Sequence, residues 1–199
     1  NILTTDFTIE SWVNYYGVPG NSIGILAGAM SPLNNNGSVD WAIGPNANQQ
    51  LTFYMYANNG AGFNGVTLKT TNTVPLNTWT HIAVSYSNTP KTLVFYINGV
   101  AQSNLTTTNA SYIQVANSSA TSATISGNPH LGGGYGTFTV GAFYSIYNPA
   151  YIHDFRMVTG TCYTPSNPTN FALTTPIGTR LLLRPTQPSR GIVATTSSI

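Results

Sequence analysis

The stretch that most constrains the fold is residues 77–102, NTWTHIAVSYSNTPKTLVFYINGVAQ. Its apolar and polar residues alternate in two runs, with Ile82, Val84 and Tyr86 in the first and Leu93, Phe95 and Ile97 in the second. A period of two is typical of half-buried strands. Asn98-Gly99 predicts a type I′ turn, because both central residues of that turn take positive φ, which Asn tolerates and Gly adopts freely. We therefore expect Thr92–Ile97 to fold back onto Val100–Leu105 in an all-β protein.

Two segments lack this alternation. Residues 106–136 are rich in Ser, Thr, Asn, Ala and Gly, and they predict a long elaborated loop, the best candidate for a variable interaction surface. Beyond Arg184 the sequence PTQPSRGIVATTSSI has two prolines and no periodicity. This composition favours a linker or an arm that reaches a neighbour.

Three blocks of sequence, in order along the chain, indicate a family. DFTIESWV (Asp6–Val13), the hairpin block above and YIHDFRMVTGTCYTP (Tyr151–Pro165) resemble the laminin-G-like, concanavalin A-like domains over roughly residues 3–184. The resemblance implies a two-sheet antiparallel jelly-roll sandwich. The third block, together with Phe171–Pro176 and Leu181–Leu183, resembles the subgroup found in structural proteins of tailed phages and large DNA viruses.

The resemblance also gives the predicted domain organisation. Family members usually carry a strand ahead of the DFTIE block, and it is missing here. We therefore predict a sandwich over residues 1–184 that lacks its first strand and belongs to a longer chain. Residues 185–199 form the linker or arm.

The unusual property of the composition is its low charge. Asp, Glu, Lys and Arg make up 5% of the 199 residues, against about 25% in ordinary domains. The six basic residues are widely spaced, so nucleic acid is not a predicted partner. Low charge also removes the self-repulsion that keeps free proteins apart. We therefore expect the domain to be packed among neighbours or to lie outside the cell.

Neither a disulfide nor membrane insertion is predicted. Cys162 is the single cysteine, so it has no internal partner, and we expect a half-buried thiol after a strand. The longest apolar stretch, residues 23–30, is far shorter than the roughly 20 residues that cross a bilayer.

The acidic residues bear on catalysis. Retaining glycoside hydrolases on this fold need two carboxylates about 5 Å apart. Among the four acids, Asp6 and Glu10 are four positions apart on one strand, and the resemblance places Glu10 in a structural position instead. The three histidines have no reason to converge on Cys162 or a serine. We therefore predict no catalytic residues and no enzyme activity.

The resemblance points to one metal, calcium, because many laminin-G-like domains bind it at the sandwich rim. Asp40 and Asp154 are the acids that could anchor such a site, and a hard cation needs six to eight oxygens. The favoured interpretation is that Asp154 pairs with Arg156 or accepts backbone hydrogen bonds. No metal or cofactor is predicted, with Ca²⁺ at Asp154 as the alternative.

Aromatic rings near loops rich in Asn and Gly are the candidate glycan contacts, because rings stack on sugar C–H groups and amides bond hydroxyls. The candidates are Trp41, Tyr135, Tyr144, Tyr147 and Tyr151. Such residues are also ordinary in strands and interfaces. Four N-x-[ST] sequons, at Asn36, Asn104, Asn109 and Asn117, permit glycosylation without arguing for it.

The preferred function is that of a virion structural protein, a minor capsid, fibre or tail component. It would pack against other virion proteins or copies of itself and present its rim to host glycans. The alternative is a secreted or cell-surface carbohydrate-binding lectin-like module. The viral preference rests on the resemblance alone.

Overall fold

The structure, a computed structural model, describes residues 5–18, 26–30, 39–58, 63–107, 113–115, 119–125, 128–130, 138–140, 150–165, 179–185 and 192–195. The strands in this part of the chain are β1 (Phe7–Tyr15), β2 (Ala27–Met30), β3 (Val39–Pro45), β4 (Gln50–Asn58), β5 (Phe63–Thr73), β6 (Thr80–Ser87), β7 (Thr92–Ile97), β8 (Val100–Ala101), β9 (Thr106–Thr107), β10 (Ile113–Val115), β11 (Ala123–Ile125), β12 (Asn128–His130), β13 (Phe138–Val140), β14 (Ala150–Thr159), β15 (Thr179–Pro185) and β16 (Ile192–Thr195). None of the described residues is helical. The described part of the chain accordingly holds no helix that could span a membrane.

The strands form two antiparallel sheets. The larger sheet has the order β10-β11-β7-β6-β1-β14-β15-β16, with β8 paired to β7. The smaller sheet has the order β13-β2-β3-β4-β5-β9, with β12 paired to β4. The predicted all-β antiparallel sandwich is confirmed.

The core lies between the two sheets and follows the predicted alternation. Phe7, Ile9 and Val13 of β1 face it from the larger sheet, while Ile43 of β3 and Phe53 of β4 face it from the smaller one. All five are fully buried. Burying a side chain of this size contributes roughly 1.5–3 kcal/mol.

The hairpin between β7 and β8 turns as the sequence predicts. Asn98 and Gly99 have φ of 50° and 75°, the positive values of a type I′ turn. The Asn98 side chain also accepts a hydrogen bond from the backbone N–H of His81 at 2.9 Å. The returning strand is shorter than predicted, because it ends at Ala101 instead of Leu105.

The segment predicted as one long loop differs from the prediction. It contributes β9 to the smaller sheet, β10 and β11 to the edge of the larger sheet beyond β7, and β12 to β4. These strands have two or three residues each. Part of the predicted linker or arm, Ile192–Thr195, likewise forms β16 and pairs with β15.

The outer face of the larger sheet positions the candidate site. Glu10 and Trp12 of β1 alternate with the core residues and point away from the core. Their partners across the sheet are Ala83 and His81 of β6, and Arg156 and His153 of β14. A bulge between Glu10 and Trp12 accommodates one extra residue of β14, where Asp154 takes a φ of 51°.

Candidate functional site: an exposed aromatic patch on the larger sheet

Five side chains occupy the exposed end of this outer face. Asn14 lies at the end of β1 and Tyr16 directly follows it, Tyr151 and His153 lie at the start of β14, and Trp79 precedes β6. Strand register places Asn14 opposite Tyr151. We call these five residues, Asn14, Tyr16, Trp79, Tyr151 and His153, the aromatic patch.

The two tyrosines form the exposed half of the patch. Tyr151 is 62% exposed and Tyr16 is 46% exposed. Their ring centroids are 5.1 Å apart, and the ring planes make an angle of 47°. Two adjacent rings that face solvent can take up an apolar ligand surface without any change in the core.

Trp79 and His153 form the other half. Their rings lie across β1 with centroids 6.2 Å apart in an edge-on arrangement, at 85°. The Nδ1 atom of His153 is 3.3 Å from the Asp154 carboxylate, which is buried. The patch therefore has a half-buried indole and a half-buried imidazole in addition to the two tyrosine rings.

The composition of the patch defines its chemistry. Aromatic faces carry negative partial charge, so they attract weakly positive C–H groups. The Asn14 amide has two donors and an acceptor with two lone pairs, and the tyrosine hydroxyls can donate and accept. A ligand that offers both apolar C–H faces and hydroxyl groups complements these side chains.

A buried polar cluster lies next to the patch on the same face. Its centre is Glu10, whose side chain is 1% exposed. His81 Nε2–H donates to Glu10 Oε2 at 2.9 Å, and Arg156 Nε donates to Oε1 at 3.0 Å. A second guanidinium nitrogen of Arg156 and the hydroxyl of Tyr163 also donate to Oε1. We call these four residues the Glu10 cluster.

The Glu10 cluster keeps its carboxylate ionised. Burial alone raises the pKa of Glu10, but the hydrogen bonds from His81 and Tyr163 and the charge of Arg156 outweigh it. The pKa of the carboxyl group is therefore below its ordinary value. Burial and the neighbouring Glu10 charge raise the pKa of the Tyr163 hydroxyl, so this group stays protonated and donates.

Tyr163 brings a short segment over the sheet. Its backbone N–H donates to Thr8 Oγ1 at 3.3 Å, and its carbonyl accepts from Ser85 Oγ at 3.1 Å. The Arg156 guanidinium stacks 5.3 Å from the centre of its ring. Residues 161–165 therefore cover the half of the outer face that holds Glu10 and leave the aromatic patch exposed.

Comparisons with known proteins agree with this architecture. The family model for the concanavalin A-like lectin/glucanases superfamily matches residues 1–156. The chain belongs to this superfamily. The predicted laminin-G-like, concanavalin A-like assignment is confirmed, while the comparisons do not support the predicted viral subgroup. No curated protein matches the chain.

Two solved structures that are similar to this chain are of Trypanosoma rangeli sialidase. One is in complex with 2-keto-3-deoxy-D-glycero-D-galacto-2,3-difluoro-nononic acid, at 12% identity and a TM-score of 0.44. The other is in complex with sialic acid, at 15% identity and a TM-score of 0.41. Each covers 78% of this chain, and this chain spans 21% of each sialidase chain.

These neighbours contradict the prediction that this chain has no enzyme activity, since both are enzymes. That prediction is withdrawn. TM-scores of 0.44 and 0.41 carry no argument for an activity in this chain.

The predicted glycan-binding residues have different outcomes. Tyr151 belongs to the aromatic patch and is the most exposed of its tyrosines. The prediction that Trp41 contacts a glycan is wrong, because Trp41 is 1% exposed and packs on Phe53 in the core, where it cannot contact a ligand. Tyr135, Tyr144 and Tyr147 lie outside the described residues.

The predicted calcium anchor, Asp154, is buried in the bulge of β14. Its carboxylate lies 3.3 Å from Nδ1 of His153, and Arg156, the partner predicted for it, binds Glu10. Within the described ranges, no group of three or more His, Cys, Asp or Glu side chains could hold a metal ion. Only the backbone of Asp40 is described, in β3.

The other predicted residues also have places in the structure. Asp6, which directly precedes β1, accepts a hydrogen bond from the backbone N–H of Asn88 at 2.7 Å, so Asp6 and Glu10 have separate partners. Cys162 is half-buried after β14, as predicted. Of the sequons, Asn104 is exposed, and Asn36, Asn109 and Asn117 lie outside the described residues.

Sequence reasoning missed Tyr16, Trp79 and the Glu10 cluster. The signal that could have found all three was the alternation of side chains along the strands. Since Phe7 and Ile9 face the core, Glu10 has to face outwards with the other even-numbered residues of β1, and the same parity predicts that side for Tyr16, which directly follows the strand. The same alternation places His81 on the outer side of β6 and predicts that side for Trp79, which directly precedes the strand.

Proposed function

We propose that the chain is a carbohydrate-binding domain and that the aromatic patch is its sugar-binding site. The observation that carries the proposal is the exposed Tyr16–Tyr151 ring pair beside the Asn14 amide. A pyranose offers a C–H face to the rings and hydroxyls to the amide. Membership of a superfamily of lectins and glucanases supports a ligand of this class.

The low charge of the chain fits a carbohydrate ligand that is recognised without ion pairs. Only 5% of the residues are charged, and the surface is rich in amide and hydroxyl side chains. The cation nearest to the patch in sequence, Arg156, is engaged with Glu10 and Tyr163. Stacking and neutral hydrogen bonds are therefore the interactions that the patch offers.

A glycan microarray followed by isothermal titration calorimetry tests this function. We expect the wild type to bind a subset of glycans, and we expect Tyr16→Ala and Tyr151→Ala each to weaken binding about tenfold, or about 1.4 kcal/mol. Val100→Ala is the matched control, because Val100 is 64% exposed and apolar but has no ring. Equal loss in the control variant would show that general apolar exposure, and not ring stacking, determines binding.

A second candidate function is packing against neighbouring subunits, as predicted for a virion component. Tyr16, Val18, Val100 and Tyr151 are the large apolar side chains exposed in the described part of the chain. They lie at one end of the larger sheet, where β1 ends, β14 begins and the β7–β8 hairpin turns. Exposed apolar patches often mark interaction sites.

Sedimentation velocity tests the packing function. Packing between copies predicts a sedimentation coefficient that rises with concentration and returns to the monomer value in Val18→Ser/Val100→Ser. A constant monomer in the wild type would count against packing between copies. The virion, or alternatively extracellular, location stays a prediction from the sequence.

A further inference from the structure

The geometry of the aromatic patch also bears on the physical form of its ligand. The ring planes of Tyr16 and Tyr151 are inclined at 47° with centroids only 5.1 Å apart. A flat surface laid on the face of one ring therefore meets the other ring at a tilt of 47° and not face to face. Only a ligand that changes direction between the two rings can stack on both.

Polysaccharides differ in this respect. In a crystalline polysaccharide, parallel chains present an extended planar face, so aromatic contacts with it have to be nearly coplanar. A single dissolved chain can rotate about each glycosidic bond, so successive sugar rings can tilt to follow the two tyrosines.

The polar neighbours of the rings favour the same form of ligand. Asn14 is opposite Tyr151 across the pair of strands, so the two side chains are neighbours on the same face of the sheet. It is half-buried, with its position set by the strand. An amide at the side of a ring reaches the equatorial hydroxyls at the edge of a stacked sugar. In a crystalline face those hydroxyls are already bonded to neighbouring chains.

We propose that the patch binds single, soluble glycan chains and not the planar surface of a crystalline polysaccharide. This inference rests on the proposed carbohydrate-binding function. Tyr16 and Tyr151 contact adjacent sugar residues of one chain, and Asn14 bonds hydroxyls of the residue on Tyr151.

The test uses each sugar in two physical forms. Cellohexaose, chitohexaose and mannohexaose are titrated calorimetrically, and the same protein is incubated with microcrystalline cellulose, crystalline chitin and crystalline mannan in depletion assays. We expect at least one hexaose to bind. Depletion by its crystalline polymer should be at the level of a non-binding control protein. Tyr16→Ala and Tyr151→Ala should each weaken hexaose binding about tenfold, and Val100→Ala should leave it unchanged.

The outcomes separate this inference from the proposed function. Depletion by a crystalline polymer that is lost in Tyr16→Ala or Tyr151→Ala, with no binding of the matching hexaose, would overturn the inference and leave the function standing. If Tyr16→Ala and Tyr151→Ala both bound the hexaose as tightly as the wild type, the inference would be overturned, because the sugar would then lie elsewhere. No binding to any form, in this set or on the microarray, would overturn the proposed function itself.

Discussion

Substitution of Glu10 by Gln is the sharpest test of how the outer face is held together. Gln keeps the size and shape of the side chain but removes its charge. The Arg156 guanidinium then remains buried without the charge of Glu10, and one amide has to serve donors from His81, Arg156 and Tyr163. The amide group can accept only at its single oxygen.

The expected magnitude follows from the burial of the pair. Glu10 and Arg156 are 1% and 5% exposed, so neither charge is screened by solvent. Removing one partner of a buried ion pair costs about 3–5 kcal/mol of unfolding free energy. For a domain of this size, that loss lowers the melting temperature by roughly 6–20 °C.

Urea unfolding followed by tryptophan fluorescence measures the loss. Tyr163→Phe is the first control, because it deletes one donor to the carboxylate and should cost about 1.5–3 kcal/mol. Glu10→Gln/Arg156→Met is the second control. This double variant also removes the buried Arg156 charge, so its loss of unfolding free energy should be smaller than the sum of the losses of the two single variants. A free energy of unfolding of Glu10→Gln within about 0.5 kcal/mol of the wild-type value would refute the reasoning.

Three further predictions concern stability. The folded-state pKa of Glu10 lies below its ordinary value of 4.5, so the Glu10 cluster stabilises the protein above pH 4.5 and loses this contribution as the pH falls towards the folded-state pKa. The urea midpoint should therefore fall less between pH 6 and pH 3 in Glu10→Gln than in the wild type. In Gly28→Ala, the new Cβ would lie 2.7 Å from the Trp41 carbonyl oxygen, so we expect a loss of about 1–3 kcal/mol; a calorimetric melting temperature equal to that of the wild type would contradict this. Asn98→Ala should lose about 1–2 kcal/mol from its positive φ, whereas Asn98→Gly, which adopts that φ freely, should lose less; equal unfolding midpoints would show that the turn is not strained.

The sequence predicted those parts of the fold that depend on local signals. The β6–β7–β8 segment has a period of two and an Asn-Gly turn, and both are properties of neighbouring residues. The strands β9 to β12 have two or three residues each, too few to show a period. They exist because distant strands such as β4 and β7 offer pairing partners, so a local pattern could not have revealed them.

The candidate site was predicted less well, for a related reason. Proximity to loops in the sequence selected both Trp41 and Tyr151, but alternation decides which of them is exposed. Trp41 has the same parity as the core residue Ile43, so it points inwards. The Glu10 cluster joins β1, β6, β14 and the segment beyond it, and no single stretch of sequence contains that combination.

Hydrogen–deuterium exchange of the wild-type protein, with and without the tightest glycan from the microarray, tests the central claim most directly. If the aromatic patch binds the sugar, exchange should slow in peptides that contain residues 14–18, 77–80 and 150–153, and Tyr16→Ala/Tyr151→Ala should abolish the effect. Slowed exchange confined to β3, β4 and β5 of the smaller sheet, with those three segments unchanged, would contradict the account.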